Sequence, residues 1–245
     1  MRLTDIHCHI LPGVDDGASN GRIAITMLNQ LYKEGVRRII LTPHYRVGMF
    51  EPSVADIQHR YMLLKKYAAG IGRDGIEVYL GCEYHRDDEM ITNLKSGKRP
   101  TLAGSRYVLV EFSSMDNYAR IRGSVYELVS AGFVPVIAHV ERYPVMVKNL
   151  ENVKNLIDLG AMIQVNADSV LGIHDWRMKR ICKKLMKREE IHFIASDAHD
   201  LKERPSRLRK CADYVERKWG REKAEEIFVR NPSRILGEMG ERSDR

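Results

Sequence analysis

Short apolar runs alternate with longer amphipathic stretches along almost the whole chain. The runs fall near residues 3–7, 37–42, 76–82, 107–112, 134–139, 161–166 and 191–196. Leu109-Val110, Val136-Ile137-Ala138 and Phe193-Ile194-Ala195 typify their cores. Consecutive apolar positions of this length read as parallel strands buried on both faces. Helical spacing fills the gaps: Ile23-Ala24, Met27-Leu28 and Leu31 precede Gly35. Val125, Leu128 and Val129 precede Gly132, and Val153, Leu156 and Ile157 precede Gly160. Each glycine stands where a helix C-terminus is expected. Strand–helix alternation repeated seven times predicts an α/β fold with a parallel sheet closed as an incomplete (β/α) barrel; an open doubly wound sheet is the alternative. No repeat or linker-like stretch interrupts the pattern, so one domain is expected over residues 1–245.

Composition narrows the setting. No run approaches the length of a transmembrane helix. The segment Met1 to Asp5 enters a strand pattern directly, without a signal peptide, so the expected location is the cytoplasm. Cys8, Cys82, Cys182 and Cys211 are scattered, which argues against a disulfide framework or a thiolate zinc site. The formal net charge of +7 suits a soluble basic protein or one with an anionic partner: phosphorylated, acidic or nucleic acid.

The chemistry gathers at the strand C-terminal ends. The first run ends in His7 and His9, the second in His44, the third in Glu83 and the fourth in Glu111. The fifth ends in His139 and the seventh in Asp197 and His199, while the sixth ends in Asn166. A barrel brings these ends to one face. Ionisable groups closing buried strands are costly unless paired or metal-bound. Mixed imidazole and carboxylate suits Mn²⁺, Fe²⁺ or Zn²⁺, and so many ligands imply a cluster of two or three ions. His7 and His9 occupy alternate positions and point the same way on a regular strand, whereas Cys8 points away.

Six segments carry a resemblance: D-I-H-C-H-I-L-P-G-V-D-D-G, T-P-H-Y-R-V-G-M-F, G-C-E-Y, V-L-V-E-F, V-I-A-H-V-E-R-Y and H-F-I-A-S-D-A-H. Together they resemble the PHP (polymerase and histidinol phosphatase) superfamily. Within it they are most similar to the bacterial manganese-dependent protein-tyrosine phosphatases of capsule and exopolysaccharide loci. The resemblance implies a distorted (β/α)7 barrel of PHP type with three divalent ions, most simply Mn. It assigns His7, His9, Glu83 and Asp197 to a first ion. Glu83, Glu111 and His139 go to a second, and Asp16, His44 and His199 to a third. It places Arg142 and Arg204 on the phosphate as catalytic and substrate-binding residues. The implied partner is a phosphotyrosine protein, the tail of a bacterial tyrosine kinase that regulates polysaccharide export, with no nucleic acid and no membrane insertion.

Such chemistry needs these groups. Divalent ions offset the charge of a phosphomonoester dianion and make hydroxide available near neutral pH. Arginine matches phosphate oxygens with a planar fork. No general acid stands out; His9 or an ion-bound water is one expectation. Tyr45, Arg46, Met49 and Phe50 follow His44 and are expected either to meet the substrate's ring or flanking chain or to form a structural loop. Asp5 is expected to orient a metal-bound histidine, and Asp15 to serve the turn or support a ligand. His85 is a weaker candidate for lining the site, His59 and His174 are expected on the surface, and His192 in the core or supporting a ligand.

Several signals are decoys. Cys182–Arg188 and Cys211–Arg217 match C-x5-R, but neither loop has glycine and both lie in helical patterns. G-I-G-R-D-G (70–75) follows a helix and precedes a strand, the reverse of a dinucleotide-binding context. The basic run 177–188 reads first as a solvated helix face and second as a docking face for an acidic or phosphorylated tail. The rival functions are a small-molecule phosphomonoesterase acting on histidinol phosphate or a nucleotide, and a non-catalytic basic nucleic-acid-binding or regulatory module.

Overall fold

Nine strands, rather than seven, line the core of the computed structural model, which describes residues 1–173 and 175–237. They are β1 (Leu3–Cys8), β2 (Val36–Leu41), β3 (His44–Tyr45), β4 (Glu77–Leu80), β5 (Glu83–His85), β6 (Tyr107–Glu111), β7 (Val134–Ile137), β8 (Met162–Asn166) and β9 (Phe193–Ala195). The two extra strands arise because the second and third apolar runs each break. Thr42-Pro43 separates β2 from β3, and Gly81-Cys82 separates β4 from β5. Proline cannot donate to a ladder, and glycine weakens a strand interior. The ring still holds across both breaks: Gly81 N–H donates to Leu41 O at 2.8 Å and Glu83 N–H to Pro43 O at 3.2 Å.

All pairings between these strands are parallel. One sheet runs β1-β2-β4 and the other β3-β5-β6-β7-β8-β9. The circle closes between the end of β9 and β1. There Asp197 N–H donates to His7 O and His9 N–H to Ala198 O, both at 2.9 Å, and Cys8 bridges Ala198. The result is the expected distorted (β/α)7 barrel rather than an open sheet.

The outer layer is helical: α1 (Gly21–Lys33), α2 (Val54–Ala69), α3 (Met90–Lys95), α4 (Tyr118–Ser130), α5 (Pro144–Lys148), α6 (Glu151–Asp158), α7 (Ala167–Leu171), α8 (Trp176–Lys187), α9 (Leu208–Trp219), α10 (Arg221–Glu225) and α11 (Asn231–Gly237). Local chemistry starts several of them. Asn20 caps α1 by accepting from Arg22 and Ile23 N–H, and Asn117 caps α4 by accepting from Arg120 N–H. The 70–75 glycines form a turn between α2 and β4, as their context predicted.

Two cores result. Ile6, Ile40, Leu109, Val136, Phe193 and Ala195 fill the barrel, which Leu102, Ile235 and Leu236 close from the end. A larger layer, including Leu28, Val125, Leu156 and Cys211, joins strands to helices. On β8, Ile163 and Val165 join the outer layer, so alternation turns Gln164 inward beneath the cluster described next.

Candidate metal centre

All nine expected ligands meet at one mouth of the barrel. His7 Nε2 and His9 Nε2 lie 3.1 Å apart, and each is 3.1 Å from Glu83 Oε2. Asp197 Oδ1 stands 3.4 and 3.5 Å from the same two nitrogens. These four residues form one cluster able to hold a metal ion; His9, Asp16, His44 and His199 form a second, and His44, Glu83 and Glu111 a third. His139 Nε2 is 2.8 Å from Glu83 Oε1 and 3.7 Å from Glu111 Oε1. Glu83 therefore stands at the centre, and His44 faces two ways: Nδ1 lies 3.1 Å from Glu83 and Nε2 3.5 Å from Asp16. Asp16 also approaches His199 Nε2 at 3.4 Å.

The protons decide what this geometry means. His7 Nδ1 meets the carboxamide oxygen of Gln164 at 3.2 Å, and His9 Nδ1 meets Asp15 Oδ2 at 2.8 Å. Both partners only accept, so each neutral ring has its one N–H on Nδ1 and a bare lone pair on Nε2. Those lone pairs face each other and two carboxylate oxygens. His199 repeats the arrangement, with Nδ1 donating to Asp197 O at 2.9 Å. Glu83 Oε2, Asp197 Oδ1 and His199 Nε2 are buried without a hydrogen-bond partner among the described residues. Acceptors crowded against acceptors repel unless a cation lies between them. The donor set therefore fits hard or borderline divalent ions.

The local field likewise favours positive charge at this place. Burial opposes charge on His7 and His9, yet Glu83 and Asp197 pull His7 above the usual imidazole range, and Asp15 does the same for His9. Glu83 and Asp197 stay far below the carboxylate range despite burial, because imidazoles surround them. Glu111 is pushed up to about 7 by burial and by Glu83, and burial brings His44 down to about 4. Two strained backbone positions also lie here. His139 (φ 33°) and Asp197 (φ 52°) are left-handed residues just beyond the ends of β7 and β9. Such residues cost about 1–3 kcal/mol each and persist where the surroundings hold them.

Arg142 and Arg204 flank the cluster. Both bind Asp197 Oδ2, at 2.9 and 3.0 Å. They line a cleft of about 270 Å³ together with Arg46, Met49 and Phe50 and the outer faces of Glu83, Glu111 and His139. The Phe50 ring stacks on His44, with centroids 5.4 Å apart and planes at 11°.

A family model described as capsular polysaccharide synthesis, CpsB/CapC, matches residues 3–237. The chain belongs to the CpsB/CapC family. It is 34% identical over 239 residues to tyrosine-protein phosphatase CpsB of Streptococcus pneumoniae, covering 96% of this chain and 98% of that one. Tyrosine-protein phosphatase YwqE of Bacillus subtilis is 32% identical over 222 residues, covering 90% and 86%. The structural match to YwqE and CpsB, described as unique metal-dependent tyrosine phosphatases, has a TM-score of 0.88 at 30% identity, with 96% and 95% covered. An Escherichia coli phosphotriesterase homology protein shares the fold alone, with a TM-score of 0.62 at 13% identity over 96% and 98% of the chains.

Within this CpsB/CapC member, three expectations need correction. Tyr45 does not reach the cleft: its ring is buried, edge-on to Tyr84 at 4.9 Å and under the Arg99 guanidinium at 3.8 Å. Alternation along β3 sends His44 to the cleft and Tyr45 behind it. Among the described residues Asp5 meets no imidazole ring. It accepts from Ser196 N–H and Oγ–H and from the His7 backbone N–H, so it ties β1 to β9 instead. His9 is fully buried with Nδ1 on Asp15 and Nε2 in the cluster, which leaves it no route for a proton to a leaving group.

Asp15, by contrast, supports ligands as expected. Besides His9 it accepts from His44 N–H at 2.9 Å. His85 is half-buried and lies outside both the cleft lining and the ligand clusters, His59 is exposed, and His192 Nδ1 accepts from Ile163 N–H. His174 lies outside the described residues. Cys182 and Cys211 are buried in helices α8 and α9, and burial pushes both thiols up, so neither C-x5-R match is a nucleophile.

The residue that sequence reasoning missed is Gln164. Its oxygen accepts from His139 N–H at 2.8 Å as well as from His7, and its nitrogen donates to Asn166 Oδ1 at 2.8 Å. Asn166 Nδ2 in turn donates to Asp197 Oδ2 at 2.7 Å. One carboxamide relay thus sets the positions of three candidate ligands at the ends of three strands. The available signal was two amides at alternate positions of a buried strand.

Proposed function

We propose that the chain is a metal-dependent protein-tyrosine phosphatase. Its substrate in this reading is phosphotyrosine on a bacterial tyrosine kinase that controls capsule or exopolysaccharide synthesis. The observation that carries the reading is the knot of bare lone pairs at His7, His9, Glu83 and Asp197, beside two arginines that open on one cleft. Family membership and the named relatives supply the substrate class. We assign three divalent ions, Mn first with Fe or Zn as alternatives, in one metallophosphatase domain acting in the cytoplasm. His7, His9, Glu83 and Asp197 would hold one. Glu83, Glu111 and His139, with His44 nearby, would hold the next, and Asp16, His44 and His199 the third. Bound there, the ions would neutralise phosphoryl oxygens and make hydroxide available at neutral pH.

The chain's own residues do the rest. Arg142 and Arg204 each spend one N–H on Asp197, and each fork retains further donors for phosphate oxygens. Because charge on those oxygens changes during transfer, the arginines should act on rate as well as on binding. Arg46 adds a cation at the outer rim. Met49 and Phe50 offer an apolar wall for the tyrosine ring. A phenol leaves with a pKa of about 10, so departure requires little acid assistance.

The test is turnover of p-nitrophenyl phosphate and a phosphotyrosyl peptide with Mn²⁺, compared with histidinol phosphate and nucleotides. Peptide should win on kcat/KM, and chelation should abolish turnover of every substrate. Arg204→Ala should lower kcat about 100-fold or more while metal content is retained. Turnover that survives complete metal removal would sink the mechanism, and a higher kcat/KM for a small metabolite would replace the substrate.

A further inference from the structure

Helix α8 carries a charge pattern that the metal centre does not use. From Arg177 to Arg188, seven of twelve residues are Lys or Arg and none is acidic. One face is committed to the core through Cys182, Leu185 and Met186. Arg177, Arg180, Lys183, Lys184 and Lys187 are exposed. Among the described residues none of these five pairs with a carboxylate; Arg188, at the helix end, does so with Glu151 and Glu190. Like charges on successive turns repel, so the face gains by meeting anions. Trp176 opens the helix 61% exposed, with the Arg180 guanidinium 5.7 Å from its ring centre.

The start of α8 also borders the chemistry. A cavity of about 160 Å³ is lined by Asp175 and Met178 at that end and by Arg142, Asn166, Asp197 and Arg204 from the metal centre. The same two arginines line the metal cleft. Open space therefore lies on both sides of the phosphate-binding arginines, and one side leads to α8. Carboxylates in the cavity wall do not stand alone. Asp175 accepts Arg177 N–H at 2.7 Å as the helix cap, and Asp168 is paired with Arg207.

We propose that the basic face of α8 docks an acidic stretch of the phosphoprotein substrate, with Trp176 contacting the chain where it leaves the arginines. This rests on the phosphatase reading. Twelve helical residues span about 18 Å, which an extended chain covers in about five or six residues. The acidic stretch should therefore begin within a few residues of the phosphotyrosine. An anionic membrane fits less well. A membrane-surface helix needs a free apolar face, and α8 exposes only Trp176 among its large apolar side chains.

The experiment uses the full chain and its Lys183→Glu/Lys184→Glu/Lys187→Glu variant, none of which belongs to the metal or phosphate machinery. Phosphotyrosyl peptides with acidic or neutral flanks are compared by kcat/KM. A labelled acidic peptide without phosphate is titrated by anisotropy, and p-nitrophenyl phosphate turnover is the control. Expected results are a preference of about fivefold or more for an acidic flank, weakening with salt and lost in the variant. Labelled-peptide binding should be lost with it, while p-nitrophenyl phosphate turnover stays unchanged. Equal use of acidic and neutral peptides, or a preference that survives charge reversal, overturns the proposal. Binding to phosphatidylglycerol vesicles that the variant loses, without any peptide preference, assigns the face to a membrane instead. Absence of turnover on every phosphate substrate is a failure of the phosphatase reading, and the anisotropy arm still judges the docking face.

Discussion

A charged side chain at the end of an apolar run was readable as a ligand because burying it alone is so unfavourable. His7, His9, Glu83 and Asp197 were legible for that reason, and all four are buried at the cluster. Gln164 was not. A neutral amide inside a strand gives no sign of cost until its partners are known. Its role is testable: Gln164→Leu keeps most of the bulk but leaves His7 Nδ1–H and His139 N–H without their acceptor. Metal affinity should fall about 10–100-fold, as for other supporting hydrogen bonds around metal ligands. Calorimetric titration of Mn²⁺ into the purified variant measures this. Unaltered affinity would leave Gln164 as packing alone.

Elements show a different limit. Strand positions followed from apolar runs, yet Pro43 and Gly81 cut two of them, and the cut sets which side chain faces the cleft. His44 and Tyr45 are neighbours with opposite fates because β3 restarts the alternation after the break. The loop after β1 depends on one glycine. Ala18 N–H returns to His9 O at 2.9 Å, and a Cβ on Gly17 would lie 2.0 Å from that same oxygen. Gly17→Ala must therefore push the loop off β1 and carry Asp15 and Asp16 with it. A loss of about 2–4 kcal/mol is expected, read as a lower urea midpoint, together with weaker metal binding. A variant of full stability would show that the loop can re-route.

For the whole molecule, the barrel brings together lone pairs that repel unless a cation is present, so folding and metal binding should be linked. An ion at about 100 times its dissociation constant adds about 2.7 kcal/mol for one site. In a chain of this size that corresponds to a melting temperature roughly 5–10 °C higher. Calorimetry with Mn²⁺ and with chelator measures it, and identical melting curves would break the link.

By itself the sequence determined the strand–helix alternation, the parallel α/β class and the residue types at the strand ends. All of these follow from local periodicity and from the cost of burying charge, which act within a few residues. Only the tertiary structure decided which ends touch, because closure of β9 on β1 brings Asp197 to His7 from a distant part of the chain. It also decided which supporting groups hold the imidazoles: Asp15 on His9, but Gln164 rather than Asp5 on His7. Hydrogen-bond direction depends on where the partner lies in space, and a one-dimensional pattern does not carry that information.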